Sequence, residues 1–373
     1  MNGTDRCGRR EDRTDRDRSA ARADGGRPLV AVVACGGTIA SEPGDDGAAP
    51  EKTGADLVEA VPAVTDHARV TTREVCSQPG FDVRWKDVLA TATAARDAVG
   101  EGPDDAGGPS ESGEAGESAE ERADGVVVTH GTDTLADTAF ALDLLSDLDA
   151  PVVVTGAQRR LDEPSSDVPA NLALAVRAAA DDRFAPGVHV AFDDELHAAR
   201  DVVKGHSNAL STMTSPEAGP VATFTRAASR LLRRPERGVS LDPLADAVDD
   251  AAAVPEVPVI HSGTGVGAGA LERALDAGVG GVVVEGTGLG NVTGALGDAI
   301  GEAVGSVPVV VAGRPPAGPT EPVYGTPGGA VTLAEHGVTF AGDLPAAKAR
   351  VALALGLAAD LDRDGIEALF EPA

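Results

Sequence analysis

Aromatic residues make up only 2% of the 373-residue chain: seven Phe, one Trp and one Tyr. Any core must therefore be built from Val, Leu, Ile and Ala, and short runs of those residues suit parallel strands buried on both faces. Lysine is scarcer still, with four residues at Lys52, Lys86, Lys204 and Lys348. Basic residues of both kinds number 31 against 60 acidic ones, a formal charge of −29. Such a charge opposes phosphate backbones and excludes nucleic acid as an expected partner. Its self-repulsion is relieved when molar salt shortens the screening length to about 3 Å, so the balance fits a salt-rich cytoplasm of the halophilic kind. The three cysteines, Cys7, Cys35 and Cys76, have no CxxC spacing, which supports neither a disulfide framework nor a zinc site. No apolar run approaches 18 residues and the N-terminus is charged. Neither a membrane span nor a secretory signal is expected, and the reading is cytoplasmic.

What is present is a strand–helix rhythm. Residues 1–27 alternate Arg and Asp with almost no apolar content, and read as a disordered tail. Residues 101–124, rich in Gly, Pro, Ser and Glu, read as a solvated acidic loop. Between them and beyond, Val-rich strands are expected at 28–35, 125–129, 151–155 and 187–192, alternating with helices at 88–99, 135–145 and 171–180. Thr134 and Asp137 form a potential capping box for the second helix. A stretch rich in Pro, Arg and Asp then suggests a linker over 221–255. The rhythm restarts with strands at 257–261, 281–285 and 307–312 and helices at 271–277, 295–304 and 345–357. The expectation is an α/β protein of two domains: a larger parallel-sheet N-terminal domain over 28–220 and a smaller α/β domain over 256–373.

Parallel α/β sheets hold ligands beyond the carboxyl ends of their strands. Three polar segments follow strands here: Gly36-Gly37-Thr38, His130-Gly131-Thr132-Asp133-Thr134 and Gly156-Ala157-Gln158-Arg159. Gly-Gly-Thr alone is compatible with a bare tight turn, although it lacks the Lys-Ser/Thr ending of a phosphate loop. Thr-Asp at a helix start is compatible with a simple cap. A threonine hydroxyl needs a base to become a nucleophile, and a lysine braced by a carboxylate can serve. Thr132, Asp133 and Lys204 could thus form a proton relay, although nothing local in the sequence shows that they meet.

Ala34-Cys-Gly-Gly-Thr-Ile-Ala40 and Val127-Val-Thr-His-Gly-Thr-Asp-Thr134 resemble the two signature segments of the L-asparaginase family. Ser77-Gln78, Pro151–Ala157, Arg200–Lys204 and Glu285-Gly-Thr-Gly-Leu-Gly-Asn291 extend the resemblance over about residues 28 to 358. It implies the family's two-domain fold and hydrolysis of L-asparagine to L-aspartate and ammonia, without cofactor or metal. The implied roles are Thr38 as nucleophile of an acyl-enzyme, with Thr132 and Lys204 relaying protons and Asp133 also holding the substrate's α-amino group. Ser77 and Gln78 would receive the α-carboxylate, Ala157 would offer its carbonyl to the leaving amide, and the backbone N–H groups near Gly37, Thr38 and Thr132 would receive the oxyanion. It further implies a homodimer or homotetramer. One departure stands out. The family's lid tyrosine is missing: Gly47 or Ala48 falls at its place, and the chain's single tyrosine is Tyr324. Gly265 stands where some members lend an asparagine across subunits. Two other readings remain open: the amidase subunit of an archaeal tRNA-dependent amidotransferase, which carries an extra N-terminal β domain, and a catalytically impaired homologue.

Overall fold

A computed structural model of the protein describes residues 26–44, 47–100, 121–235 and 251–370. Most of the expected tail and of the expected acidic loop lies outside the described residues. The loop's last residues do not behave as a solvated loop. Ala123 is buried with its N–H on the Ala98 carbonyl, and the Asp124 carboxylate accepts from the Leu29 N–H at 2.9 Å.

In chain order, the N-terminal elements are β1 (Leu29–Gly36), β2 (Ser41–Gly44), β3 (Gly47–Pro50), α1 (Gly54–Ala60), β4 (Arg69–Gln78), α2 (Trp85–Val99), β5 (Gly125–Thr129), α3 (Leu135–Leu145), β6 (Val152–Thr155), α4 (Val168–Ala179), β7 (Val188–Phe192) and β8 (Glu195–Ala198). Two short hairpins follow: β9 (Val203–Lys204) with β10 (Met213–Thr214), and β11 (Ala222–Phe224) with β12 (Ser229–Leu231). The large sheet runs β12-β11-β8-β7-β6-β5-β1-β4. Its five strands from β7 to β4 are parallel, and β8, β11 and β12 add an antiparallel edge. Strands β1, β5, β6 and β7 are buried along their whole length, as two-faced burial by apolar branched residues requires.

The second unit contains β13 (Val259–His261), α5 (Gly269–Asp276), β14 (Val282–Gly286), α6 (Gly294–Ala303), β15 (Val309–Gly313), α7 (Ala330–His336), β16 (Thr339–Phe340), α8 (Ala346–Ala358) and α9 (Arg363–Ala368). Its four strands form one parallel sheet in sequential order. Helix α8 packs on α3 of the larger unit, so one apolar cluster runs through both, joining Phe140 and Leu144 to Val351 and Leu355.

Three further expectations change. Strand β4 was not anticipated because its sequence, RVTTREVCSQ, is polar; it is an edge strand whose charged residues face water, with Arg73 on Asp97 at 2.8 Å. The 221–255 segment is not linker throughout, since Ala222–Phe224 and Ser229–Leu231 extend the large sheet. The capping box at α3 does not form. Thr134 gives no side-chain cap but donates its hydroxyl to the Gly80 carbonyl at 2.5 Å, and burial raises the Asp137 carboxyl above its ordinary pKa. Among the described residues no helix is long and apolar enough to cross a membrane.

Candidate active site

In the large sheet β1 is flanked by β4 and β5, so the strand order reverses around it. A crevice opens beyond the carboxyl ends at such a point. The chain enters it from β1 through Gly36 and Gly37, both in the left-handed region at φ 73° and 83°. Side chains there would be strained, and crowding forbids them outright. A Cβ on Gly37 would strike the backbone of Gly131, one on Gly131 would lie 2.5 Å from Gly80 Cα, and one on Gly36 would lie 2.6 Å from the Gln78 carbonyl oxygen. Three turns, those after β1, β4 and β5, therefore touch backbone to backbone. The Gly37 N–H donates to the Gln78 carbonyl at 3.0 Å and completes the junction.

That contact places Thr38 and Thr132 each one residue beyond a touching glycine. Thr38 is half-buried at the start of a short 3-10 turn, Thr38–Ala40, whose following residue Ser41 donates its hydroxyl to the Gly37 carbonyl at 2.8 Å. Thr132 is buried after β5. Lys204, on the β9–β10 hairpin, reaches across 72 residues of sequence to donate to Thr132 Oγ1 at 2.9 Å and to Asp133 Oδ1 at 2.7 Å. The Lys204 side chain is 17% exposed and that of Asp133 54%. The lysine side chain is thus largely withdrawn from water while its carboxylate partner is exposed. The structure brings Thr132, Asp133 and Lys204 together as a hydrogen-bonded set. The Thr38 hydroxyl makes no hydrogen bond to any of them among the described residues.

Around this set the turns are braced. His130 is fully buried, its Nδ1 2.8 Å from the Gly131 carbonyl, and burial holds its pKa below the ordinary value, so it is neutral near pH 7. The turn after β6 lies alongside: a Cβ on Gly156 would meet the His130 carbonyl oxygen at 2.5 Å and Thr132 Cγ2 at 3.2 Å, and Ala157 beside it is fully buried. Asp167 receives the N–H groups of Gln158 and Arg159, each at 2.9 Å, and Asn171 donates to the Gly156 carbonyl at 3.0 Å. Ser77 and Gln78 stand at the end of β4, beside the end of β1. The Ser77 hydroxyl is directed to the Pro50 carbonyl at 2.9 Å, which ties β4 to the β2–β3 hairpin. That hairpin occupies the place of the expected lid, and Lys52 pairs with Glu42 across its base. Gly47 and Ala48 on it are exposed and carry no aromatic ring. Tyr324 is 56% exposed in the turn before α7, and Gly265 lies in open space.

Sequence reasoning missed Gly80 and the pairing of Gly37 with Gly131. The signal was present as a glycine shortly after each of three strands, but which glycines touch depends on strand order. Among the described residues no cluster of His, Cys, Asp or Glu could hold a metal ion.

A threonine-bearing turn at a sheet switch point lies beside a hydrogen-bonded Thr-Asp-Lys set. Comparison with known proteins identifies the family. The profile "Asparaginase, N-terminal" matches residues 29–106 and 114–237, and "Glutaminase/Asparaginase C-terminal domain" matches 256–370. A protein of Haemophilus influenzae named probable L-asparaginase periplasmic is 31% identical, over 92% of this chain and 93% of its own length. L-asparaginase 2 of Escherichia coli is 31% identical over 92% of both chains. A glutamyl-tRNA(Gln) amidotransferase subunit of Methanothermobacter thermautotrophicus is 33% identical over 74% of this chain, which spans only 60% of that relative. With both halves of the chain matched in order, and the polar turns gathered at one crevice, the protein belongs to the asparaginase/glutaminase family of amidohydrolases.

Proposed function

We propose that the chain hydrolyses L-asparagine to L-aspartate and ammonia through an acyl-enzyme on Thr38. The observation that carries this reading is the Lys204 ammonium, 2.9 Å from Thr132 Oγ1 and 2.7 Å from Asp133, beside the turn that presents Thr38. In this mechanism the Thr38 hydroxyl oxygen attacks the side-chain amide carbon. Its proton passes by way of Thr132 and Lys204 to the departing nitrogen, which leaves as ammonia. Water, deprotonated by the same relay, then attacks the ester and frees aspartate and Thr38. The backbone N–H groups near Gly37, Thr38 and Thr132 receive the developing oxyanion, and each such donor is typically worth about 3 kcal/mol. Asp133 holds the substrate's α-amino group, Ser77 and Gln78 receive its α-carboxylate, and the Ala157 carbonyl orients the leaving amide. Ser77 must turn from Pro50 to do so. With no tyrosine on the hairpin, Thr38 is activated through the Lys204 relay.

The proposal includes a cytoplasmic, salt-adapted enzyme assembled as a homodimer or homotetramer, its mass in solution being measurable by light scattering. The decisive assay is ammonia release from asparagine, glutamine and a simple aliphatic amide, at low and molar KCl. Asparagine turnover that vanishes in Thr38→Ala supports the reading, and undiminished turnover in that variant removes Thr38 from its role. Turnover of none of the substrates at any salt would instead favour the amidotransferase subunit or an impaired homologue.

A further inference from the structure

Of the four lysines, Lys204 is largely withdrawn from water and takes part in the proposed relay. Another, Lys348, stands in the first turn of α8 in the C-terminal domain and is 1% exposed. An isolated ammonium is expensive to bury, and it persists only where donors find acceptors. Here Nζ donates to three backbone carbonyls of the other domain: Ala199 at 2.8 Å, Arg200 at 2.7 Å and Val202 at 2.5 Å. The Phe140 ring lies 5.7 Å away and adds a cation–π contact. Burial pulls the group down to about 7, against the fields of Asp137, Asp201 and Asp143 and with that of Arg200. An ammonium has a proton for each of the three carbonyls, whereas the neutral amine has only two.

The position of those carbonyls gives the interaction meaning. Residues Ala199–Val202 form the turn between β8 and β9, and Lys204 follows two residues after Val202. The turn has two further ties. Arg200 forms a two-pronged pair with Asp343 of the C-terminal domain at 3.0 and 2.6 Å, and Arg233 pairs with Asp201. These ties hold the turn by its side chains; Lys348 grips its backbone from the buried side. Joining the two domains would not require it, since α8 already packs its apolar face on α3.

We infer that Lys348 is a positioning residue for the relay, a buried clamp from the C-terminal domain that sets the backbone of 199–202 and thereby holds Lys204 within reach of Thr132 and Asp133. The inference rests on the reading of Lys204 as part of the catalytic machinery. A relay whose atoms sit at 2.7–2.9 Å tolerates little displacement, and a shift of about 1 Å in such a site can cost roughly 100-fold in rate.

The test compares kcat and KM for asparagine in the full chain and in Lys204→Met, Lys348→Met, Lys348→Gln and Val351→Ala, well below the lowest melting temperature. Val351→Ala removes apolar volume from the same helix without deleting any atom of the Lys348 hydrogen bonds to the turn. Lys348→Met is expected to lower kcat on the order of 10- to 100-fold with KM within about threefold. Lys348→Gln, with two N–H donors on a shorter arm, is expected to fall between Lys348→Met and the wild type, and Val351→Ala to stay within about twofold of the wild type. An inactive Lys204→Met beside a Lys348→Met whose kcat stays within about twofold overturns the inference while leaving the proposed function standing. Equal kcat losses in Val351→Ala and Lys348→Met also overturn it, because they would report general loosening of the domain contact. A fully active Lys204→Met overturns the function reading and the inference with it. If Lys348→Met does not fold, Lys348→Gln carries the comparison: a kcat loss of about threefold or more at nearly constant KM supports the clamp, and parity with Val351→Ala overturns it.

Discussion

The two halves of the chain follow the same grammar of parallel strands ending in glycine-rich polar turns, yet strand order reverses around β1 in the first and runs sequentially in the second. After β1, Gly36-Gly37-Thr38 meets the backbones of Gln78 and Gly131, so each glycine is required by a neighbouring strand's turn. After β14, Gly286-Thr-Gly-Leu-Gly290 is held by an internal bridge and by one neighbour, the segment after β15, whose Arg314 and Glu321 N–H groups donate to the Gly286 and Leu289 carbonyls. Thr287 bridges to Asn291, its hydroxyl donates to the Asn291 carbonyl at 3.1 Å, and Gly288 stands in open space at φ 53°. The difference lies in strand order. The C-terminal sheet runs sequentially from β13 to β16, whereas the large sheet reverses around β1 and brings three turns to one point. What stands opposite a Gly-Thr pair is set by the topology.

The strongest way to break this comparison is to remove the threonine on each side. Thr38→Ala should lower kcat for amide hydrolysis by a factor on the order of 1,000 or more, whereas Thr287→Ala should leave kcat within about twofold and cost about 1 kcal/mol of stability for its lost hydrogen bond. Steady-state kinetics and denaturant titration check both, and a catalytic collapse in Thr287→Ala would erase the contrast.

The glycines give the next largest effect. Gly131→Ala places a Cβ 2.5 Å from Gly80 Cα and should destabilise the fold by roughly 3 kcal/mol or more, because backbone at both sides has to move. Gly288→Ala meets nothing within 4 Å and should cost about 1–2 kcal/mol, the penalty of a left-handed conformation alone. Equal losses in melting temperature would show that the crowding does not matter.

Acid separates the halves next. His189 and His197 are buried in the large sheet, and burial first, then Arg233, lowers both to about 4. For His197 this outweighs the field of the Asp201 carboxylate. Between pH 6.5 and 4 the unfolded chain therefore binds more protons than the folded one. The stability from these neutral imidazoles is fully present above about pH 6.5 and is lost as pH falls towards 4, on the order of 3 kcal/mol for each histidine. Hydrogen exchange at pH 4.5 should show β7 and β8 opening before β14 and β15, and simultaneous opening would count against the assignment. The smallest effect concerns the charge of −29 shared by the whole chain. The melting temperature should rise by several degrees between 0.1 and 2 M KCl as repulsion is screened, and a flat response would remove the salt-adaptation reading.

Much of this was legible in the sequence because local rules and buried strands agree. The apolar face of Leu135–Leu145 marks α3 to the residue, and Val-rich runs mark β1, β5, β6 and β7. What escaped has a physical cause in each case. Polar β4 borrows its register from β1, so its own pattern is silent. Thr134 has the sequence of a helix cap but spends its hydroxyl on Gly80, 54 residues earlier. The edge hairpin β11–β12 looked like linker because Arg and Pro dominate around it.

By itself, then, the sequence determined the parallel-sheet class, the two-part organisation and the polar turns after β1 and β5, because hydrophobic period and turn chemistry act over a few residues. Only the tertiary structure decided that Gly37 would rest on Gly131, that Lys204 would cross 72 residues to Thr132, and that Lys348 would reach from the second domain to the turn before it. Those contacts depend on strand order and on the docking of α8 against α3, which no local spacing encodes.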